Sequence, residues 1–317
     1  MNDPLWRPSA SIELLRQRAQ LIAQIRQFFN QRHYLEVETP VMGSYGVTDV
    51  YLSNIKAVFR DRSYCLQTSP EYHMKRLLAA GSGPIFQLAR VFRDDELGRW
   101  HNPEFSLLEW YQLDVDHFEL MAEVDLLLQT VLQSKPMIKK TYQHAFLETC
   151  AVDPFTASIE QLQQILQYHD LDNVLTVGEQ DRDQYLFLLM SHVVEPALGK
   201  ESVPVAVYHF PPSQASLAKI NEGVAERFEI YYQGVELVNG FHELTDVAAQ
   251  AKRFAQDQAI RQQQGLTFTE ADQYLLQALE HGLPQCSGVA LGVDRLLALA
   301  LQQSAISKTM AFDFYRA

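Results

Sequence analysis

Gln233 and Gly234 force the chain into an antiparallel hairpin. Residues 226–232 (ERFEIYY) and 235–239 (VELVN) are strand-like, and the two residues between them have the form of a two-residue turn. The turn fixes a register in which Tyr232 faces Val235 and Tyr231 faces Glu236, with Glu229 a diagonal neighbour of Glu236 on the same face. Two carboxylates so placed suit Mg²⁺, which takes one or two carboxylates together with phosphate oxygens and water. A solvated strand face carrying two acids has the same pattern.

The rest of the chain carries helical and strand-like patterns, and its length is compatible with about two domains or with one large α/β or α+β domain. From Ser11, a plausible N-cap, Ile12, Leu15, Ala19, Ile22, Ile25 and Phe29 recur at helical spacing. The helix feeds a strand expected over the alternating stretch 34–40, which Pro40 stops. Residues 85–93 and 104–113 read as strands around a polar connection, DDELGRWHNP, too long for a tight hairpin and long enough to be functional. Helical patterns cover 117–133, 159–169, 182–194 and 246–264, and a Gly-spaced strand and helix close the pattern over 287–301. No repeat or low-complexity linker divides the chain. We expect one domain over residues 1–317, with a helical insertion around 140–225.

Three segments concentrate chemistry. Between Ala89 and Tyr111 lie Arg90, Arg93, Arg99, His101, Asn102, Glu104, Glu109 and Tyr111, charged and polar groups where a plain strand would alternate with neutral ones. An arginine at a strand end can hold a phosphate bidentately. Glu109 and Tyr111, two apart, share a face and could receive an ammonium group; a salt-bridge network on an exposed hairpin would look alike. In Gly288-Val-Ala-Leu-Gly292-Val-Asp-Arg295 the glycines permit close approach of a ligand and a helix N-terminus favours anions, although such spacing also serves tight helix packing. The histidines at 33, 117, 144, 169, 192 and 281 have no HxxxH or HExxH partner, and packing or surface roles are expected for them.

Composition narrows the partners. Lys+Arg 26 against Asp+Glu 39 gives a net charge of −13, a poor match to sequence-independent nucleic-acid binding. Three dispersed cysteines fit neither a disulfide framework nor a cysteine zinc site and suggest a reducing compartment. With no apolar signal-peptide core and no run of about 18 apolar residues, we expect a cytoplasmic protein that does not enter membranes.

Together these segments resemble, in order, the signatures of class II aminoacyl-tRNA synthetases: the helix with LEVETP ending at Pro40 is similar to motif 1, residues 92–111 to motif 2 and residues 288–297 to motif 3. TSPEYHMKRLL (68–78), HNPEF (101–105) and ELVNGFHEL (236–244) resemble lysyl-tRNA synthetases in particular. The resemblance implies an α+β fold, the class II catalytic core with a mixed and mainly antiparallel sheet flanked by helices, and a homodimer formed through motif 1. It implies that Arg93 and Arg295 are catalytic, holding the α- and γ-phosphates of ATP. Asp94, Asp95, Asn102, Glu236, Leu237 and Gly292 would join them in binding ATP, and Glu229 with Glu236 would hold Mg²⁺. Ser69, Pro70, Glu71, Glu109, Tyr111, Asn239, Phe241, Glu243 and Ala290 would line the amino-acid pocket. Two ammonium groups on a lysine-like substrate need more than one acid, and Glu71, Glu109 and Glu243 supply three from separate segments.

Three departures refine the resemblance. Only a short helix precedes motif 1, leaving no room for the anticodon-binding OB-fold of lysyl-tRNA synthetases, so binding of a tRNA anticodon is not expected. Ala290 replaces the middle glycine of motif 3. Arg93-Asp94-Asp95 stands where motif 2 carries Arg-Asn-Glu. The first two, with Ser69 before Pro70-Glu71, resemble the synthetase paralogues that activate (R)-β-lysine with ATP and transfer it to a lysine of elongation factor P. That family implies (R)-β-lysine or lysine as substrate and elongation factor P as acceptor. A minimal tRNA-charging enzyme and an inactive synthetase-like regulator are the alternatives.

Overall fold

The computed structural model describes residues 4–94, 97–176, 178–199 and 202–317, which divide into two compact units: Met1–Asp116 with Glu243–Ala317, and His117–His242. In the first unit, α1 (Ile12–Asn30) starts where expected, with Ser11 Oγ accepting the Leu14 N–H at 3.2 Å. Its C-terminal half carries the buried side chains, Ile25, Phe28 and Phe29, whereas Ile12 is 57% exposed. The strand expected over 34–40 is only β1 (Leu35–Glu36); it pairs in parallel with one neighbour, at the end of the strand order, and Pro40 offers no donor to prolong it. A small antiparallel sheet follows, β2 (Met42–Gly43), β3 (Lys56–Phe59) and β4 (Arg62–Leu66) in the order β2-β4-β3, then α2 (Glu71–Ala79). β5 (Ile85–Phe92) and β6 (Glu104–Leu113) are the antiparallel pair read from the sequence.

The second unit contains α3 (His117–Leu132), β7 (Ile138–Thr141), α4 (Tyr142–Cys150), α5 (Ile159–Tyr168) and α6 (Arg182–Leu189). These are followed by β8 (Val205–Phe210), β9 (Ile220–Asn221), β10 (Val224–Tyr232) and β11 (Val235–His242). Its strands run β11-β10-β8-β7, with β9 also on β10, and only the β7–β8 pair is parallel. The apolar stripes of α4, α5 and α6 bury Phe146, Leu162, Leu186 and Leu189 with Val205, Val207 and Tyr231 of the sheet in one core.

The chain returns to the first unit through α7 (Val247–Gln263), capped by Asp246, and α8 (Gln273–Gly282), then β12 (Cys286–Gly292) and α9 (Val293–Ala300). β12 pairs antiparallel with β6, giving the order β1-β5-β6-β12. Both units are thus mixed, mainly antiparallel sheets flanked by helices. Among the described residues no helix is long and apolar enough to cross a membrane, and the three cysteines are free and buried.

Strand alternation in β5 and β6 divides packing from chemistry. Phe86 and Trp110 are register partners on one face, where Phe29 of α1 stacks on Phe86 (4.6 Å) and meets Trp110 edge-on (5.2 Å). Gln87 and Glu109, the next partners, take the other face. A buried ion pair ties α1 to α9: Arg18 lies 2.6 Å from Asp294, whose other oxygen accepts the Ser106 N–H of β6 at 2.6 Å. We predict that Asp294→Ala, which strands Arg18 without its partner, lowers stability by about 3–5 kcal/mol. Urea denaturation of the purified variant measures this.

Candidate active site

In the first unit three acids meet at the start of α2, on β6 and after β11. Ser69 precedes α2 and its Oγ accepts the Glu71 N–H (3.0 Å), so the hydroxyl proton is free to donate to Glu109 Oε2 (2.6 Å). Tyr111, two residues along β6, donates to Glu109 Oε1 (2.7 Å). One turn into α2, Lys75 follows Glu71 at i+4 and places its ammonium 2.7 Å from Glu71 Oε1 and 2.6 Å from Glu243 Oε2. Lys75, Glu109 and Glu243 are each at most 2% exposed. Glu71, Glu109 and Glu243, predicted as pocket residues from separate segments, therefore converge. Lys75 was not singled out in the sequence, although Glu71-x-x-x-Lys75 at the start of a helix is a readable signal.

The cluster has three carboxylates and one ammonium. Burial pushes Glu109 up to about 8, with Glu71 adding repulsion and the Ser69 and Tyr111 hydroxyls opposing it. Burial likewise raises Glu243 to about 7, against the pull of Lys75. For Lys75 burial acts downward, but Glu243 and Glu71 outweigh it and hold the ammonium above its ordinary range. Glu243 Oε1 accepts no hydrogen bond from the described residues. The arrangement is short of positive charge and has an open acceptor, which suits a ligand carrying ammonium groups.

β12 shapes the same face. Gly288 pairs with Tyr111, and a Cβ there would run into the Tyr111 ring and Glu243 Oε1; the glycine is required by close approach. Ala290 pairs with Glu109, so its methyl stands beside that carboxylate. Gly292 is different, since a Cβ there would meet only ordinary contacts with Arg295.

The phosphate candidates lie at the ends of β5, β6 and β12. Arg93 sits 5.1 Å over the Phe105 ring, and its buried Nε has no hydrogen-bond partner among the described residues, a donor available to an anion. Arg295, in the first turn of α9, donates from Nε to the Trp100 carbonyl (3.1 Å) and lies 2.6 Å from His101 Nε2. Asn102 is buried with both ends engaged, donating to the Glu104 carbonyl (2.7 Å) and accepting the Phe314 N–H (3.1 Å), a role in holding the motif 2 loop. Asp94 is exposed, its N–H bonded to the Ser53 carbonyl (3.1 Å). Asp95 lies outside the described residues.

In the second unit the hairpin turns at Gln233 (φ 53°) and Gly234 (φ 72°), both left-handed, as a two-residue hairpin requires. The pairs Tyr232–Val235 and Tyr231–Glu236 match the expected register. Beyond them a bulge intervenes: Ile230 pairs with Val238 and Glu229 with Asn239, leaving Leu237 as the extra residue, buried in the strand. The bulge brings Asn239, three residues from Glu236, onto the same face as Glu236 and Glu229, followed by Phe241 opposite Arg227. Sequence alternation alone would put Glu236 and Asn239 on opposite faces. Glu229 is buried and accepts from Arg227 and Tyr231; burial, together with repulsion from Glu236, raises its pKa despite Arg227. Asn239 Oδ1 is buried without a hydrogen-bond partner among the described residues. Two carboxylates and an amide oxygen on one face are the donor set of a hard cation.

The raised Glu109 pKa has a consequence for stability. Between the ordinary carboxyl value of 4.5 and about 8 the folded chain holds a proton that the unfolded chain releases. The stability due to protonated Glu109 is complete below that window and lost as pH rises through the folded pKa. Glu109→Gln should flatten the decline of stability with pH across the window, a change read from urea midpoints of both proteins.

Comparison with known proteins identifies the family. Residues 5–315 match the family model of tRNA synthetases class II (D, K and N). A protein of Pasteurella multocida named elongation factor P–(R)-β-lysine ligase is 53% identical over 98% of both chains. Proteins of the same name from Edwardsiella ictaluri and Pseudoalteromonas translucida are 52% and 50% identical, over 98% and 100% of both chains. The chain belongs to the class II tRNA synthetase family of the D, K and N type.

Proposed function

We propose that this chain activates (R)-β-lysine with ATP as an aminoacyl-adenylate and transfers it to the ε-amino group of a lysine on elongation factor P. The observation that carries this reading is the convergence of Glu71 with the buried Glu109 and Glu243: Lys75 pairs with Glu71 and Glu243, while Glu109 is hydrogen-bonded only by neutral hydroxyls among the described residues, so the cluster lacks the charge a diamino acid would bring. The names of its close relatives support the substrate and the acceptor.

In the first step the substrate carboxylate attacks the α-phosphorus in line; an oxygen–phosphorus bond forms and pyrophosphate leaves. Positioning and charge neutralisation dominate such a step. Arg93, with its unpartnered Nε, would hold the α-phosphate, and Arg295 the γ-phosphate. Glu229 and Glu236, with Asn239 on their face, would hold Mg²⁺, which neutralises phosphate charge when bound. In the second step a neutral ε-amine attacks the adenylate carbonyl; a carbon–nitrogen bond forms, AMP departs and the amine proton passes to solvent. Ser69 and Tyr111 hold Glu109 beside Ala290, where the amino end of the substrate is read. The Ala290 methyl is proposed to favour an amino group moved from the α to the β carbon.

The same reading makes the protein a cytoplasmic homodimer, with one catalytic domain built from the whole chain and residues 140–225 as an insertion. Sedimentation velocity tests the dimer. Intact mass of elongation factor P after incubation with this protein, ATP and each lysine isomer tests the activity: a β-lysyl adduct is expected, and an unmodified acceptor with every isomer overturns the reading. Arg93→Ala should lose pyrophosphate exchange by orders of magnitude. Wild type should exchange pyrophosphate faster with (R)-β-lysine than with α-lysine, and Ala290→Gly should narrow that preference.

A further inference from the structure

The second unit's sheet has another polar cluster, on the face opposite Glu229 and Glu236. Along β10 and β11 the partners Glu229–Asn239 and Arg227–Phe241 take one face and Phe228–Gly240 the other. Glu226 and His242, one step further, share the face of Phe228 and Gly240, where His242 Nδ1 and Glu226 Oε2 are 2.5 Å apart. α3 packs against β10 and β11 and delivers its first residue, His117, to the same spot. One nitrogen from each histidine and one oxygen from Glu226 lie within 4.8 Å of one another. His117 and Glu226 are 3% and 8% exposed.

We infer that His117, Glu226 and His242 form a binding site for a divalent transition metal, with Zn²⁺ the ion their chemistry suits best. Two imidazoles and a carboxylate are borderline-soft donors that favour zinc over magnesium, which demands an oxygen shell. Zinc bonds of about 2.0–2.2 Å put tetrahedral ligand atoms about 3.3 Å apart. Reaching that spacing means opening the His242–Glu226 contact by somewhat under 1 Å and closing the widest separation by about 1.5 Å at most, adjustments within reach of side-chain rotation. The donors come from three elements with fixed backbones, and a fourth position is left for water or another ligand. Asn221 of β9 donates to Glu226 Oε1 (3.1 Å) and leaves Oε2 directed at His242, the kind of outer contact that orients a metal-binding carboxylate. A bound ion would clamp α3 to β10 and β11, a structural role independent of the proposed ligase activity. The three residues lie far apart in sequence, so no motif spacing announces them.

The competing arrangement is a metal-free hydrogen-bond network of Glu226 between two imidazoles. To separate them, the full chain is stripped with chelator, exposed to zinc chloride, dialysed and analysed for metal by mass spectrometry. Wild type is expected to retain about one zinc per chain and to melt at higher temperature with zinc than without. His117→Asn and His242→Asn should lose the zinc and its thermal effect, Glu229→Gln should keep both, and Asn221→Ala should weaken zinc affinity by about tenfold. Wild type that retains no zinc overturns the site whether or not the variants fold. Equal retention by His117→Asn overturns it too.

Discussion

The period-two alternation of β6 is the constraint on which the first unit depends. Trp110 must face α1, because Phe29 stacks on Phe86 and meets Trp110 edge-on in one aromatic cluster, and a one-residue slip would turn that indole outward and drive Glu109 into the core. The apolar face thereby fixes the polar one. β5 and β12 inherit the register, which sets Gln87 and Ala290 beside Glu109 and Gly288 beside Tyr111. The precision of the pocket is borrowed from packing on the reverse side of the same strands.

Electrostatics set this cluster apart from the apolar core. Lys75 compensates part of the negative charge of Glu71 and Glu243, while Glu109 is left to two neutral hydroxyls. The result is carboxyl groups displaced toward neutrality by burial, a state that an incoming ammonium group would reverse. The second unit follows the same logic on a smaller scale, with Glu229 held by Arg227 and Tyr231 yet still raised by burial and by Glu236.

Much of this was legible in the sequence, for definite reasons. The N-cap at Ser11, the β5–β6 pair and the turn at Gln233-Gly234 are local signals, carried by residues within a few positions of each other. The candidate pocket residues Glu71, Glu109 and Glu243 were legible as a set through resemblance, because the motifs that carry them are compact. The strand expected over 34–40 shortens to β1, because alternation is satisfied by any extended chain and only the neighbouring strand decides how much of it pairs. Nothing in the sequence pairs Lys75 with Glu243, because a lysine on a helix is ordinary until an acid from elsewhere meets it.

By itself the sequence determined the local features, the helix start at Ser11, the β5–β6 pair and the turn at Gln233-Gly234, and the inventory of acids and arginines, since these follow from periodicity, turn chemistry and residue type. Only the tertiary structure decided which side chains meet. The bulge at Leu237 puts Asn239 on the face of Glu236, Lys75 of α2 meets Glu243 from a distant segment, and His117 reaches Glu226 and His242 across the second unit. Each of these depends on how separate segments are brought together by burial, and no local pattern encodes that distance.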